Sequence, residues 1–318
     1  MPMDRPGEDA RRAASSVLAQ KTSVPFELIV VAASDPALPH DRRVRVLTMA
    51  ERNPALRRNA AARAAGGEVL AFIDDDAFAD PSWLDRAALY LDEHPGVLAL
   101  GGPDPAPDDS TPAEMLSETL LATPWIGSGI AAHESRGGIF AVRRPWDVAL
   151  VNLFVRKDAF DRLGGFDESI GYIGEDTELI GRMMQQGFVI YHEGVVVRHR
   201  RRAFPGAYLR QRWRYRVKTG ERLVAGRTYR SGRVVAFLLA GCLFLALMVA
   251  APLSALALLT VYLLAVTALA IPVTPLPPAR WPLIPIAFLL HHATYWLGLV
   301  TGMVRGVWGR GRRGANHG

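Results

Sequence analysis

Apolar positions along the first 200 residues follow two spacings in turn. Short β-rich runs alternate with stretches whose apolar residues recur every three or four positions, the signature of strands interleaved with helices in an α/β domain. The pattern predicts a helix over 10–20, a buried strand over 26–33 and a short strand over 44–48. Asn53-Pro54 reads as a helix cap with proline at the first helical position, opening a helix to about Ala65 that stops at Gly66-Gly67. A strand over 68–73 runs into Asp74-Asp75-Asp76, and Asp80-Pro81 starts a helix reaching about His94. Strands follow over 97–101, 148–155 and 188–197, with helices over 157–163 and 176–186. Between them, 102–144 is rich in Gly, Pro and Ser and reads as one long irregular loop. Past Val234 the periodicity gives way to continuous apolar sequence. Val234–Ile271, broken by Pro252, predicts two short transmembrane helices in a hairpin, and about 281–304 forms a third apolar segment.

Charge divides the chain in the same places. Residues 1–197 carry a net charge of −11, 198–233 carry +12 and 234–318 carry +5. No charged residue occurs over 234–279, so this stretch predicts membrane insertion rather than a purely soluble chain. The basic block sits just before the first span and interleaves arginine with Phe204, Tyr208, Trp213, Tyr215 and Tyr229. That composition suits a helix at an anionic headgroup surface, and its position argues against a nucleic-acid partner. The chain therefore reads as a domain over 1–200, a basic amphipathic interface segment over 201–233 and a transmembrane region over 234–318. A third crossing would carry Arg305–Arg313 to the far side, against the positive-inside rule, so two full crossings are preferred. The single cysteine, Cys242, excludes a disulfide scaffold.

Two acidic clusters carry the candidate chemistry. Asp74-Asp75-Asp76 follows the apolar run VLAFI at a strand's carboxyl end, where open α/β sheets bind ligands. Three adjacent carboxylates repel one another; a hard divalent cation relieves the repulsion and keeps positions open for phosphate oxygens. An acidic solvated turn is the plainer alternative. In the second cluster, Glu175 and Asp176 open a helix, where negative charge is favoured by the helix dipole alone. The preceding Gly164-Gly165 would let backbone approach a ligand.

Five ordered motifs carry a family resemblance: RRNAAARAAGGE at 57–68, FIDDD at 72–76, VNLFVRKDAF at 151–160, LGGFDE at 163–168 and GEDTEL at 174–179. Together they resemble a family-2 glycosyltransferase with the GT-A fold, a Rossmann-like mixed sheet, here followed by C-terminal transmembrane helices. The resemblance covers about residues 10–220. It implies that Asp74 and Asp76 hold Mn²⁺ or Mg²⁺ against the diphosphate of a nucleotide-sugar donor, with His199 as a possible further ligand. It implies Asp176 as catalytic base with Glu175 beside it, and inversion at the anomeric carbon. Arg58, Asn59, Asp75, Gly164 and Gly165 are expected at the donor, and Asn152 and Arg156 in the sugar or acceptor pocket. The chain departs from the family at its start. Residues 1–9 hold nothing like the usual apolar first strand, so it is expected to begin at the family's first helix, and Ala32-Ala33 replaces the usual acid after the second strand.

The membrane segment and the donor chemistry together predict a lipid-linked or cell-envelope glycan acceptor, with the catalytic domain on the cytoplasmic face of the cytoplasmic membrane. Two rivals remain at this level. FIDDDAF also fits the start of a haloacid-dehalogenase-like phosphatase, and a membrane-anchored, non-catalytic protein of the same fold would share every motif.

Overall fold

A computed structural model describes residues 1–3, 7–127, 130–170, 173–226 and 231–314. In chain order its elements are β1 (Pro2–Met3), α1 (Glu8–Leu18), β2 (Leu28–Ala32), β3 (Val44–Thr48), α2 (Pro54–Ala64), β4 (Val69–Phe72), β5 (Ala77–Ala79), α3 (Trp83–Glu93) and β6 (Val97–Gly101). They continue with α4 (Pro112–Ala122), β7 (Ile139–Ala141), β8 (Leu153–Arg156), α5 (Lys157–Arg162), α6 (Glu175–Met183), β9 (Phe188–His192) and β10 (Val197–His199). The remaining helices are α7 (Gly206–Val224), α8 (Ser231–Ala250), α9 (Pro252–Ala270) and α10 (Leu283–Gly314). Two units emerge, one of residues 1–110 and 128–200, the other of 111–127 and 201–318.

The first unit is a mixed α/β layer. Its five-stranded sheet has the order β4-β8-β6-β9-β7, in which only β6 and β9 pair in parallel. Alternation at period two sorts the strand side chains onto two faces. Leu70, Phe72, Leu153, Val155, Val189 and Tyr191 pack with α2, α5 and α6, while Phe154, Leu100 and Ile190 pack with α1 and α3. A second, parallel sheet runs β1-β2-β3, and β5 and β10 form an antiparallel pair. Both faces of the main sheet are thus covered by helices, and the loops at strand ends are left to carry polar groups.

Several expectations are corrected. The predicted loop over 102–144 contains the helix α4, because Thr111 and Glu114 form a reciprocal capping box around Pro112 at the first helical position. Its residues lie in the second unit rather than in the first domain. The strand expected over 148–155 starts with a 3₁₀ turn, Leu150–Asn152, and the strand expected over 188–197 breaks at His192 and resumes as β10. Helix α3 starts at Trp83, since Asp80 spends its carboxylate on the backbone and hydroxyl of Ser82 in a local turn. Residues 1–3, expected to contribute no strand, pair with Val31 and Ala32, and the Met1 amino group donates to the Ile29 carbonyl at 3.0 Å.

In the second unit, α4, α7, α9 and α10 share an apolar core of Leu116, Leu120, Tyr208, Val266, Ile284 and Phe288, among others. The turn at Ala251 and Pro252 divides the apolar run, as the sequence predicts. Among the described residues, 252–273 and 283–308 are long and apolar enough to cross a membrane, and 234–250 is a shorter apolar helix. Tyr229, counted in the basic aromatic segment, lies outside the described residues.

Candidate active site

The acidic triplet stands where β4 leaves the sheet. The Ala77 N–H donates to the Asp74 carbonyl at 3.3 Å, a turn that sends the chain into β5. β5 pairs with β10 so that Ala77 faces His199, and the Arg200 N–H donates to the Asp76 carbonyl at 2.9 Å. This register delivers His199 to the triplet. Its Nε2 lies 3.3 Å from Asp76 Oδ1, and its Nδ1 lies 3.4 Å from Asp104 Oδ2. Asp104, fully buried, is also 3.4 Å from His133 Nε2.

The other acidic motif reaches the triplet through one side chain. Arg58, buried on α2, donates from Nη2 to Asp74 Oδ1 at 3.0 Å and from Nη1 to Glu175 Oε1 at 2.8 Å. Gly174 makes this possible: at φ 88° it turns the chain into α6 in a conformation that disfavours a side chain, so Glu175 and Asp176 begin the helix. Asp176 stays half-buried and accepts from the Thr177 N–H at 2.6 Å.

Burial, then the adjacent Asp176 carboxylate, pushes the Glu175 carboxyl up to about 7. Arg58 only partly offsets this, and Glu175 Oε2 is buried with no hydrogen-bond partner among the described residues. Burial opposes the charge on Arg58 as well, yet Asp74 and Glu175 outweigh it and hold the guanidinium above its ordinary range. A buried arginine between two carboxylates is a paired charge whose partners would be costly to leave alone.

Among the described residues no three His, Cys, Asp or Glu side chains form a preformed metal cage. The side chains present still suit a hard cation that arrives with a diphosphate. Such an ion needs one or two protein carboxylates, because phosphate oxygens and water complete its shell. Asp76 offers a carboxylate beside the His199 imidazole, and Asp74 lies within the same turn.

Comparison with known proteins shows what the first unit is similar to. Residues 7–147 match the profile of glycosyl transferase family 2. Over that stretch the chain is similar to family-2 glycosyltransferases. The O-antigen biosynthesis protein RfbC of Myxococcus xanthus is 30% identical over 151 residues, covering 42% of this chain and 11% of that protein. The chain thus spans about a tenth of the length of this relative. The mannosyltransferase PcManGT from Pyrobaculum calidifontis, solved in complex with GDP-Man and Mn²⁺, superposes with a TM-score of 0.50 at 20% identity, over 96% of this chain and 85% of that one. It shares the GT-A glycosyltransferase fold. S. aureus TarS 1-349 aligns at 13% identity over 94% of this chain and 89% of that one, with a TM-score of 0.45.

Within the first unit the predicted residues separate into those at the acidic cluster and those that frame it. Asp74, Asp76, His199, Arg58, Glu175 and Asp176 are brought together, and half-buried Asp75 stays in the triplet's turn. Asn59 belongs to the frame. Its amide donates to the Phe166 carbonyl and to Glu168 Oε1, and accepts from the Phe166 N–H, each at 2.9 Å. Gly165 serves that clamp: a Cβ there would stand 2.7 Å from Asn59 Oδ1, so the backbone's close approach is to a side chain of its own fold. Gly164, at φ 77°, makes the preceding turn.

Asn152 is fully buried, accepting from Trp83 Nε1 and donating to the carbonyls of Pro103 and Val195. Its amide is spent as a brace between α3 and the loops at Pro103 and Val195. Arg156 pairs with Val69 at the start of β4, the opposite end of the strand from Asp74, and donates to the Val97 and Leu91 carbonyls. The sequence reading missed Asp104 and His133, both inside the stretch taken as an irregular loop. The one available signal was an acid fixed between Pro103 and Pro105.

Proposed function

We propose that the domain moves a sugar from a nucleotide-diphospho-sugar to a membrane-associated acceptor, a lipid-linked sugar or cell-envelope glycan, by a single displacement that inverts the anomeric carbon. The observation that carries the reading is Arg58, one buried guanidinium that joins Asp74 on the donor side to Glu175 beside the proposed base. Asp176 takes the acceptor hydroxyl's proton as that oxygen bonds to the anomeric carbon. The bond from that carbon to the diphosphate oxygen breaks on the opposite face, and the nucleotide diphosphate leaves.

Arg58 offsets the negative charge of both motifs, while Glu175, protonated below about pH 7, limits repulsion of the anionic donor. Asp76 and His199, with Asp74, would hold Mn²⁺ or Mg²⁺. When bound, the cation neutralises charge on the departing diphosphate. GDP-Man and Mn²⁺ in the PcManGT structure support this donor class and metal, and the O-antigen role in the relative's name supports an envelope glycan. The basic helix α7 ahead of apolar α8 and α9 supports a catalytic domain on the cytoplasmic face of the membrane.

The test uses the full chain in lipid nanodiscs with Mn²⁺, a panel of nucleotide sugars, and both lipid-linked and water-soluble acceptors. Nucleotide diphosphate release and the anomeric configuration of the product are followed. Inverted product on the lipid-linked acceptor is expected. Retained configuration overturns the single displacement, equal turnover on soluble acceptors overturns the membrane acceptor, and no turnover with any donor returns the non-catalytic reading.

A further inference from the structure

The second unit contains half-buried positive charge that the transferase chemistry does not use. Helices α7 and α10 run parallel and nearly backbone to backbone. Gly298, Gly302 and Gly306 form a stripe on α10, and a Cβ on Gly302 would fall 2.0 Å from the Val217 carbonyl oxygen. On the α7 side, a Cβ on Gly220 would fall 2.3 Å from the Leu299 carbonyl oxygen. Only glycine permits this approach, and it draws the arginines of α7 into the seam.

Two of them, Arg212 and Arg216, sit one helical turn apart. Arg216 stacks 3.7 Å above the Tyr295 ring, and Arg212 lies 5.3 Å from the Tyr208 ring and 5.1 Å from the Tyr215 ring. The Tyr208 hydroxyl meets His291 Nδ1 at 2.9 Å, closing the end of the seam. Among the described residues neither arginine bonds a carboxylate, and the Nε of each is buried with no hydrogen-bond partner. The sequence has no acid after Glu221, and Glu221 accepts from Lys218 at 3.2 Å. Glu118 is held by Arg201. Two neighbouring cations partly drawn out of water without an anion are unfavourable, and the planar guanidinium fork matches the oxygens of a phosphate.

We propose that Arg212 and Arg216, walled by Tyr295, Tyr208 and His291, form a site for a phosphate ester, supplied by the headgroup of an anionic lipid. The apolar length of α10 beside the arginines favours a lipid over a soluble phosphate as the source. The site does not rest on the transferase reading. It also differs from a diffuse basic surface, because Arg210 and Arg214 on the same helix are exposed and should not take part.

The full chain in neutral detergent is titrated with phosphatidylglycerol, phosphatidylcholine and inorganic phosphate, and bound ligand is counted by native mass spectrometry. Phosphatidylglycerol should bind best. Arg212→Gln and Arg216→Gln should each weaken it about tenfold or more, as expected for a charge-assisted bidentate contact, while Arg214→Gln, removing the same charge, should change it less than about twofold. Inorganic phosphate binding with the same dependence on Arg212 and Arg216 would keep the site and make its source soluble. Equal losses from Arg212→Gln and Arg214→Gln, or no loss from either, would overturn the proposal. If Arg216→Gln fails to fold, Arg212→Gln, which leaves the Arg216 stack on Tyr295 intact, decides the matter.

Discussion

Glu175→Gln removes an ionisable proton from the candidate active site while changing little volume. In the folded chain, burial and the Asp176 carboxylate raise this carboxyl from an ordinary 4.5 to about 7. A group raised in this way keeps a proton that the unfolded chain has already released. Its contribution to stability is therefore whole below about pH 4.5, declines as the pH rises toward about 7, and is lost above that. At roughly 1.4 kcal/mol per pKa unit the decline totals about 3 kcal/mol. Glutamine has no proton to lose, so the variant lacks this decline. The assay is denaturant unfolding of wild type and variant in one detergent, without donor or metal, at several pH values from about 4.5 to about 8. The difference between the two unfolding free energies should shift in the variant's favour by up to about 3 kcal/mol across that window, with most of the shift complete near neutrality. A difference that does not move with pH refutes the reasoning. A shift of opposite sign, with wild type losing stability toward acid, would mean that Glu175 is ionised and its pairing with Arg58 dominates.

Three further outcomes test other parts of the site. Asp176→Asn should lower turnover by about 10²–10⁴-fold with donor affinity little changed; wild-type turnover in a nucleotide-release assay would exclude Asp176 as base. Asp76→Ala should remove the Mn²⁺-dependent part of donor binding measured by calorimetry, and a titration with the same metal dependence as wild type would dismiss Asp76 as a ligand. Asn152→Leu should cost about 1–3 kcal/mol of stability, because it strands the Trp83 indole N–H and the buried Val195 carbonyl; an undiminished melting temperature would contradict its role as a brace.

What the sequence revealed depended on how locally each feature is encoded. Asn53-Pro54 and Pro252 act on their own neighbours, so both boundaries could be read directly. Thr111-Pro112-Ala113-Glu114 encodes its helix just as locally, but the surrounding Gly and Pro obscured a capping box that was present. The acidic clusters could be read because like charges on adjacent residues need an outside explanation. Their connection through Arg58 could not, since it depends on α2 and α6 packing on the same face of the sheet. Nor could the roles within one motif be divided. Arg58 and Asn59 are consecutive, yet about 100° apart on the helix, so one faces the carboxylates and the other clamps the loop at Phe166. Asn152 and Arg156 were assigned by resemblance, and a motif matches equally well whether a residue holds a ligand or a neighbouring strand.

The glycine seam between α7 and α10 also bears on how many times the chain would traverse a bilayer. At one end it sets Tyr208 against His291, and toward the other it sets Gly306 against Glu221 and Val224. Val224 lies just before α8, so α10 returns by residue 306 to the point from which the apolar helices depart. A polypeptide that leaves one side of a membrane and comes back to it has made an even number of passages. If α8 and α9 supply that pair, α10 lies along the surface it shares with the basic helix, and Arg305 stays on the side of α7 despite the apolar length that precedes it.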